Sequence, residues 1–570
     1  MDCEKIDMSL YGEFPTSPVV FAACDSKYFL EHAPSFIYSA TDHKFDVHIH
    51  IVNPTNDVLS LAAILSSTTH KRVTYSFHDF AFNDFDSEQE RAYYACTRFA
   101  VAPHVLKTAN KVMILDIDCL IMNDFEFPDL PVGYFPRKGE VDAANNWERQ
   151  GMKVAAGAVY YNIDALNVAE AVSATIEGLP VRWFNDQIAL SHIIDQLMST
   201  TKVDPDDILH EFDSTFLDWE FKSGTSIWTG KGSRKYDNEK YVSEKARWNK
   251  LDHRIGKGYT NVILKPRLDL PFKKQISIEN SVNEPIRKHW SNFVEKKNEQ
   301  ELNTLVIEAP RWHFNDTICK YFTDQIIFAP HVEKSWWGGG NNVRYYMQTV
   351  FPWIFTIDKI GYLGGSEYKN NYSPEIEYGN DKEFEKLQKY VKAGGTKFKH
   401  LQGNNDWSHE EPYVLVPLQL PHDETIKYHS NITVPELVKA MCEWAEISGI
   451  KVVFKGHPIN KKSMEPLVEI IQSYTNVEYH LDYPINSMIA DALAVYSINS
   501  GTGQEAMLYE RPVVVFGKCD YENAVIKGDI NDLEGTWRKV INDDESARVI
   551  SYKNWFSWFI TQVAYDTKKS

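Results

Sequence analysis

Basic charge is what this 570-residue chain has too little of. It carries 60 Lys and Arg against 79 Asp and Glu, a formal charge of −19. Gripping a phosphate backbone needs a clustered basic surface, so nucleic acid is excluded as a partner. No apolar run approaches the roughly 18 residues of a membrane-spanning helix. Met1-Asp2-Cys3-Glu4-Lys5 has neither a basic n-region nor an apolar h-region, so no secretory signal is expected. Cysteine is scarce: seven residues, an odd number, with no Cys-x-x-Cys pair. That excludes a disulfide framework and a zinc site, and points to reduced thiols in a cytoplasmic protein. What is present is a globular composition, 43% hydrophobic and 13% aromatic, on a chain long enough for roughly three or four ordinary units.

The first half is organised around the run from Lys111 to Ile121, which the apolar residues Val112 to Leu115 mark as a buried strand. At its end Asp116 and Asp118 stand at i and i+2, which places them on one face of a strand. Two carboxylates so placed repel, and a hard cation resolves the repulsion. Mg²⁺ or Mn²⁺ takes oxygen ligands and keeps room for substrate phosphates. The plain alternative is a solvated strand end with two unrelated acids. Strands predicted at 17–23, 46–52 and 154–162 alternate with helices at 29–40 and 88–106, the order of a doubly wound, mainly parallel sheet. In such a sheet the polar residues just past a strand's carboxyl end face the ligand. Asp186 and Gln187 open a further helix, either as caps or as groups against a sugar.

The ordered set Phe21-Ala22-Ala23-Cys24-Asp25, Tyr94…Arg98-Phe99, Leu115-Asp116-Ile117-Asp118, Ala156-Gly157…Tyr161-Asn162 and Asp186-Gln187 resembles the GT-A glycosyltransferases. It is most similar to family 8, the retaining group that contains glycogenin, over about residues 17–200. The resemblance implies that Ala23, Asp25 and Ser26 line a nucleoside pocket and that Arg98 reaches the phosphates or donor sugar. It further implies that Asp116 and Asp118 hold Mn²⁺ or Mg²⁺ and that Asp186 and Gln187 lie beside the anomeric carbon. A later His with a Gly-Lys segment would add a third metal ligand and a phosphate grip. The candidates are His253 with Lys257 and, lacking the His, Lys231 in Gly230-Lys231-Gly232.

A polar stretch over 266–302, with one helix, separates this part from the second half. A glycine loop at Trp336-Trp337-Gly338-Gly339-Gly340 is expected to enter a helix. From Tyr413 onward a second α/β unit is expected, with a capped helix at Thr433-Val434-Pro435-Glu436. Two strands deliver Lys455-Gly456-His457-Pro458 and Asn499-Ser500-Gly501-Thr502-Gly503-Gln504-Glu505. Ser and Gly at a helix start free backbone N–H groups for an anion; a capped helix without ligand is the alternative. Glu505 is placed to accept hydrogen bonds from ribose hydroxyls. With Val416-Pro417…Gln419-x-x-x-Asp423, these pieces resemble the GT-B capsule polysaccharide glycosyltransferases, the group containing bacterial β-Kdo transferases, over about residues 413–521. The resemblance implies Asp423 as catalytic carboxylate, Asp358 as acid/base partner, Lys455, His457, Ser500 and Gly501 around the donor phosphate, and Glu505 on the ribose. As plain structure, Asp423 would cap the turn after its strand.

The expected architecture is therefore α/β: a GT-A doubly wound mainly parallel sheet over 1–265, a linker with a helix over 266–302, and a GT-B-like module with Rossmann-type halves at 303–405 and 406–570. The expected function is a bifunctional transfer of sugars to a surface or capsule-like polysaccharide. The first transfer would be metal-dependent and use a nucleotide-diphosphate sugar. The second would be metal-independent and Kdo-like from a CMP-sugar. Partners are nucleotide sugars and a glycan or glycolipid acceptor. Alternatives are one active transferase with a degenerate acceptor-binding module, or a non-catalytic glycan-binding scaffold. The aromatic helix near Trp555 and Phe559 either touches a membrane surface, making a cytoplasmic protein membrane-peripheral, or packs as core.

Overall fold

The computed structural model describes residues 7–11, 14–137, 152–199, 204–249, 258–266, 284–301, 303–309, 313–379, 381–397, 399, 403, 407–459 and 462–569. The chain divides into two compact units, Met1–Tyr259 with Ile307–Tyr321, and Thr260–Val306 with Phe322–Ser570. Both are α/β with mostly parallel sheets.

In the first unit, a sheet of eight strands among the described residues runs Ser9–Tyr11, Val73–His78, Asp46–Val52, Val19–Asp25, Lys111–Leu115, Val154–Asn162, Val132–Pro136, Leu209–Glu211. The four strands from Val73–His78 to Lys111–Leu115 are parallel, and Val154–Asn162 is antiparallel to its neighbours. The apolar runs that betray these strands are buried on both faces, as a sheet covered by helices requires. Val19–Asp25 lies between Asp46–Val52 and Lys111–Leu115. The winding reverses there, so the crevice beyond its carboxyl end opens beside Ser26 and Asp116. The helix Ser87–Ala109 starts on a capping box between Asp86 and Gln89 and packs on the strand Val19–Asp25.

A chain of buried polar groups crosses two of these strands. His48 Nε2 and His50 Nδ1 meet Ser76 Oγ at 2.9 and 2.7 Å, His50 Nε2 meets His78 Nδ1 at 2.7 Å, and His78 Nε2 meets Tyr93 Oη at 2.8 Å. Burial holds the imidazoles neutral, with His48 lowered to about 3 and His78 to about 4. The segment Ile307–Tyr321 returns to this unit: Thr317 Oγ1 lies 2.8 Å from Ser60 Oγ, and Lys320 Nζ lies 2.9 Å from Asp57.

The second unit has two six-stranded sheets among the described residues. One runs Thr304–Ala309 (Thr304–Val306 of it in this unit), Asn261–Pro266, Ile326–Pro330, Val343–Gln348, Ile354–Asp358, Tyr565–Asp566. Its last two strands pair antiparallel. The sheet therefore takes a strand from before residue 266 and another from beyond residue 560, more than the stretch 303–405 expected for this half. The helix Glu284–Gln300, expected as a linker, buries Trp290 and Phe293 on that sheet against Tyr346 and Phe355.

The other sheet is wholly parallel: Val477–His480, Lys451–Lys455, Tyr413–Pro417, Ala494–Ser497, Val513–Val515, Ile526–Lys527. Numbered by chain order this is 3-2-1-4-5-6, with the reversal between Tyr413–Pro417 and Ala494–Ser497. Thr433 opens the helix Val434–Ser448 with the expected capping box to Glu436. One expectation differs, and one alternative is decided. Gly338–Gly340 lead into the strand Val343–Gln348, not a helix, because that segment pairs with Ile326–Pro330 on one side and Ile354–Asp358 on the other, burying Val343, Tyr345 and Tyr346. The aromatic stripe near the end is core: Trp555, Phe556, Trp558 and Phe559 are 0–2% exposed and pack with Phe351 and Phe384. Their burial takes the core alternative of the two expected and leaves nothing that supports the membrane-surface one. No helix among the described residues is long and apolar enough to cross a membrane.

Candidate functional site

In the first unit the reversal point gathers a network of charges. Asp116 and Asp118 lie not on a strand but in the tight turn between Lys111–Leu115 and Cys119–Ile121, where the Cys119 N–H donates to the Asp116 carbonyl at 3.0 Å. Each carboxylate meets its own cation. Arg98, on the helix Ser87–Ala109, donates through Nη1 to Asp116 and through Nη2 to Asp186 Oδ2 at 3.0 Å. Lys235 Nζ donates to Asp118 Oδ2 at 2.8 Å and to Tyr28 Oη at 3.2 Å, over the face of the Tyr28 ring. Burial works against the charge of Arg98 but is outweighed by Asp116 and Asp186, so its proton is held more tightly than usual. The same balance, burial against Asp118, raises Lys235. Burial raises Asp186, with Arg98 opposing.

Other expected residues take structural contacts. Ala23 is buried at the strand end. Asp25 caps the helix Ser26–Asp42, accepting from the Tyr28 N–H at 2.7 Å. Ser26 Oγ donates to the Asn53 carbonyl and accepts from the Thr55 N–H, at 2.6 and 3.1 Å. Gln187 Oε1 accepts from Arg137 at 2.9 Å. Lys231 lies over the Trp219 ring, 4.1 Å from its centre, so it is Lys235 that reaches the acidic turn. His253 and Lys257 lie outside the described residues.

Among the described residues no group of three or more His, Cys, Asp and Glu converges as a metal site. The Asp pair supplies hard oxygen donors of the kind a cation keeping waters and phosphate oxygens in its shell would take, but each carboxylate is engaged here by Arg98 or Lys235. Asp116 Oδ2 faces a space that the Cβ of any residue but glycine at 157 would enter, at 3.1 Å.

In the second unit a cavity of about 360 Å³ opens at the reversal point of the parallel sheet. Asp423, Lys455, His457, Ser500, Gly501 and Glu505 all line it, as does Lys397. Lys455, at the end of its strand, donates to the carbonyls of Gly456 and Leu481 at 3.0 and 2.8 Å. Burial lowers Lys455 and Lys397 each to about 8, with Asp482 and Asp423 respectively opposing. Burial lowers His457 to about 4, so it acts as a neutral imidazole near neutral pH. Burial raises Glu505 to about 7. A Cβ at Gly501 would meet Val350 Cγ1 at 2.2 Å, so a larger residue there would force that side chain to move. Asp423 caps the helix Glu424–His429, accepting from the Thr425 N–H and Oγ1 at 2.9 and 2.8 Å, while facing the cavity. Asn499 is locked by Gln419 Nε2 at 2.8 Å and by its own donation to the Thr425 carbonyl at 3.0 Å, which sets the loop that follows.

Asp358 does not line this cavity. Its oxygens accept from the N–H groups of Ile360, Gly361, Glu367 and Tyr368 at 2.7–3.1 Å, so it organises its own loop. Lys235 and Lys397 escaped the sequence reading. Neither sits in a motif, and only the fold carries them to their carboxylates. Nor was the pair Glu333–His429 foreseen, 2.7 Å apart and buried.

Residues 366–551 match the family described as "Capsule polysaccharide biosynthesis protein". That span of the chain, about a third of its length, is thus similar to capsule polysaccharide biosynthesis proteins. No curated protein matches the chain. Among solved structures, the β-Kdo 2,7 transferase KpsC of Thermosulfurimonas dismutans shares 14% identity at a TM-score of 0.32, covering 48% of this chain and 89% of its own. A bifunctional glycosyltransferase, WbbM, shares 14% at 0.28 over 42% and 52%. Mouse xyloside xylosyltransferase 1 shares 11% at 0.28 over 38% and 99%. At such TM-scores these likenesses carry no argument.

Proposed function

We propose that the chain is a two-module glycosyltransferase that extends a surface or capsule-like polysaccharide, each unit holding one active site. The observation that carries this is the 360 Å³ cavity of the second unit, in the capsule-domain span, where Lys455, Lys397, His457 and Asp423 converge at the reversal point of a parallel sheet. The lysines supply positive charge to the leaving phosphate, and the neutral His457 can donate a hydrogen bond to it. Glu505 takes the ribose hydroxyls. Asp423 is held against the donor's anomeric carbon as nucleophile, its orientation fixed by the Thr425 cap. The donor is an acidic sugar of Kdo type on a cytidine monophosphate, which needs no metal.

In the first unit Asp116 and Asp118 would hold Mn²⁺ or Mg²⁺, which when bound stabilises negative charge on a departing diphosphate. Arg98 fixes Asp186 and Asp116 relative to one another, and Asp186 with Gln187 faces the donor sugar. A second reading, in which only the second unit is active and the first holds acceptor, is favoured by one observation. Arg98 and Lys235 already neutralise the two carboxylates a metal would use.

The test is product analysis with purified full-length protein and nucleotide-sugar donors. Asp116→Ala with Asp118→Ala should abolish the Mn²⁺-dependent transfer alone. Asp423→Ala or His457→Ala should abolish the other alone. If the first pair of changes leaves every product unaltered, the one-site reading replaces the two-site one.

A further inference from the structure

The first unit has a concavity of about 390 Å³ that no residue assigned above lines. Its walls are Glu88 and Arg91 from the helix Ser87–Ala109, then Arg182, Trp183, Phe184 and Ile188 at the start of the helix Asn185–Ser199. Its volume falls in the range of small-ligand sites. Trp183 is 41% exposed, with its ring 5.7 Å from that of Phe184. A large aromatic left open on a cavity wall is a surface for the apolar face of a ligand.

Phe184 holds φ at +72°, a left-handed conformation costly for a bulky residue. That turn sets Trp183 on the cavity wall just before Asp186 turns inward to Arg98. The local charge is also out of character. Among the described residues that line it, two guanidinium groups stand with one carboxylate, in a chain of formal charge −19. Arg91 uses Nε on the Ser87 carbonyl at 2.9 Å, and its terminal nitrogens are further donors.

Position ties this cavity to the reacting centre. Arg91 and Arg98 are seven residues apart on one helix, which puts them on the same face about 10 Å apart along the axis. Arg182 and Trp183 stand four and three residues before Asp186. Arg98 and Asp186 are themselves buried, so the tie is one of neighbourhood: on the transferase reading, a saccharide reacting beside Asp186 would have its next units near this cavity.

We propose that this cavity is an acceptor subsite for a carboxylated, uronic-acid-type glycan. Arg91 and Arg182 bind the sugar carboxylate, for which planar guanidinium groups are suited. The sugar ring lies on Trp183. The inference rests on the transferase reading of the first unit and names the class of acceptor that unit extends.

The test is isothermal titration of the full-length protein with tetrasaccharides of hyaluronan, heparosan and alginate, against neutral chitotetraose. Saturable binding of at least one uronate tetrasaccharide, about tenfold or more tighter than chitotetraose, is the expected result. Arg91→Ala and Trp183→Ala, both at exposed positions, should each weaken it about tenfold, and added salt should weaken it further. No saturable uronate binding, equal affinity for chitotetraose, or affinity untouched by both substitutions overturns the inference. Donor hydrolysis on the same preparation separates the two ideas. Hydrolysis without uronate binding overturns this inference alone. Uronate binding without Asp116-dependent hydrolysis supports it and overturns the transferase reading beneath it.

Discussion

Lys235 Nζ stands 2.8 Å from Asp118 Oδ2, with both side chains about 10% exposed. A lysine thus holds a carboxylate that the sequence alone offers to a metal. Removing one partner of a buried pair leaves the other charge stranded, at a cost of about 3–5 kcal/mol. Lys235→Met should therefore lower the melting temperature of the first unit. Because the same change exposes Asp118 to a competing cation, Mn²⁺ should restore part of the loss. Differential scanning calorimetry with and without Mn²⁺ reads both effects. A Mn²⁺ shift no larger than in the parent protein would count against Asp118 as a metal ligand.

Glu505 has its folded pKa raised to about 7 from 4.5 by burial. Its stabilising contribution is present in full below the unfolded value and is lost as pH rises toward 7. Above that the buried charge is a penalty, at most about 3 kcal/mol for a shift of this size. Glu505→Gln should match the parent in stability near pH 4 and exceed it increasingly between pH 5 and 7, with the gap constant beyond. Urea unfolding across that range tests this, and a constant difference at all pH values contradicts it.

The buried imidazoles of the first unit run the opposite way. His48 and His78 are lowered to about 3 and 4. Their contribution is present above the ordinary value near 6.5 and is lost as pH falls through the folded values. Acid unfolding of this unit should set in between pH 6.5 and 4, and His78→Asn should flatten that slope. Circular dichroism against pH is the measurement.

Cutting the chain near residue 300 should cripple the second unit. Such a fragment loses Asn261–Pro266, which pairs in parallel with Ile326–Pro330, and the helix that buries Trp290, Phe293 and Val294. Losing one large core aromatic costs about 3–5 kcal/mol, and the whole stability of a domain is about 5–15. A fragment over 300–570 should be aggregated or molten by light scattering and near-ultraviolet dichroism. Cooperative unfolding by that fragment would show the missing strand to be dispensable.

Much of this fold was legible where local chemistry decides it. The Thr433–Glu436 box, the strand Val154–Asn162 and the run into Asp116 announce themselves within a few residues. So did the set Lys455, His457, Ser500, Gly501 and Glu505, because strand ends at a reversal point converge. Asp358 misled because its partners include N–H groups nine and ten residues away that no short motif records. The apolar run that leads into Asp116 and Asp118 has the signature of a strand continuing through both, whereas the chain turns directly after Leu115. Lys235 lies 117 residues from Asp118 in sequence, and Asn261–Pro266 joins a sheet whose other strands come later. Pairings of that span follow from tertiary packing, and periodicity is blind to them.

The strand Tyr565–Asp566 completes the edge beside Ile354–Asp358, and Thr567 Oγ1 donates to the Trp353 carbonyl across 214 residues. Until that far segment emerges, Ile354–Asp358 is an open edge able to recruit strangers. Synthesis therefore passes through a long interval in which the second unit is sticky and unfinished, and the pace of translation past residue 358 becomes a determinant of yield.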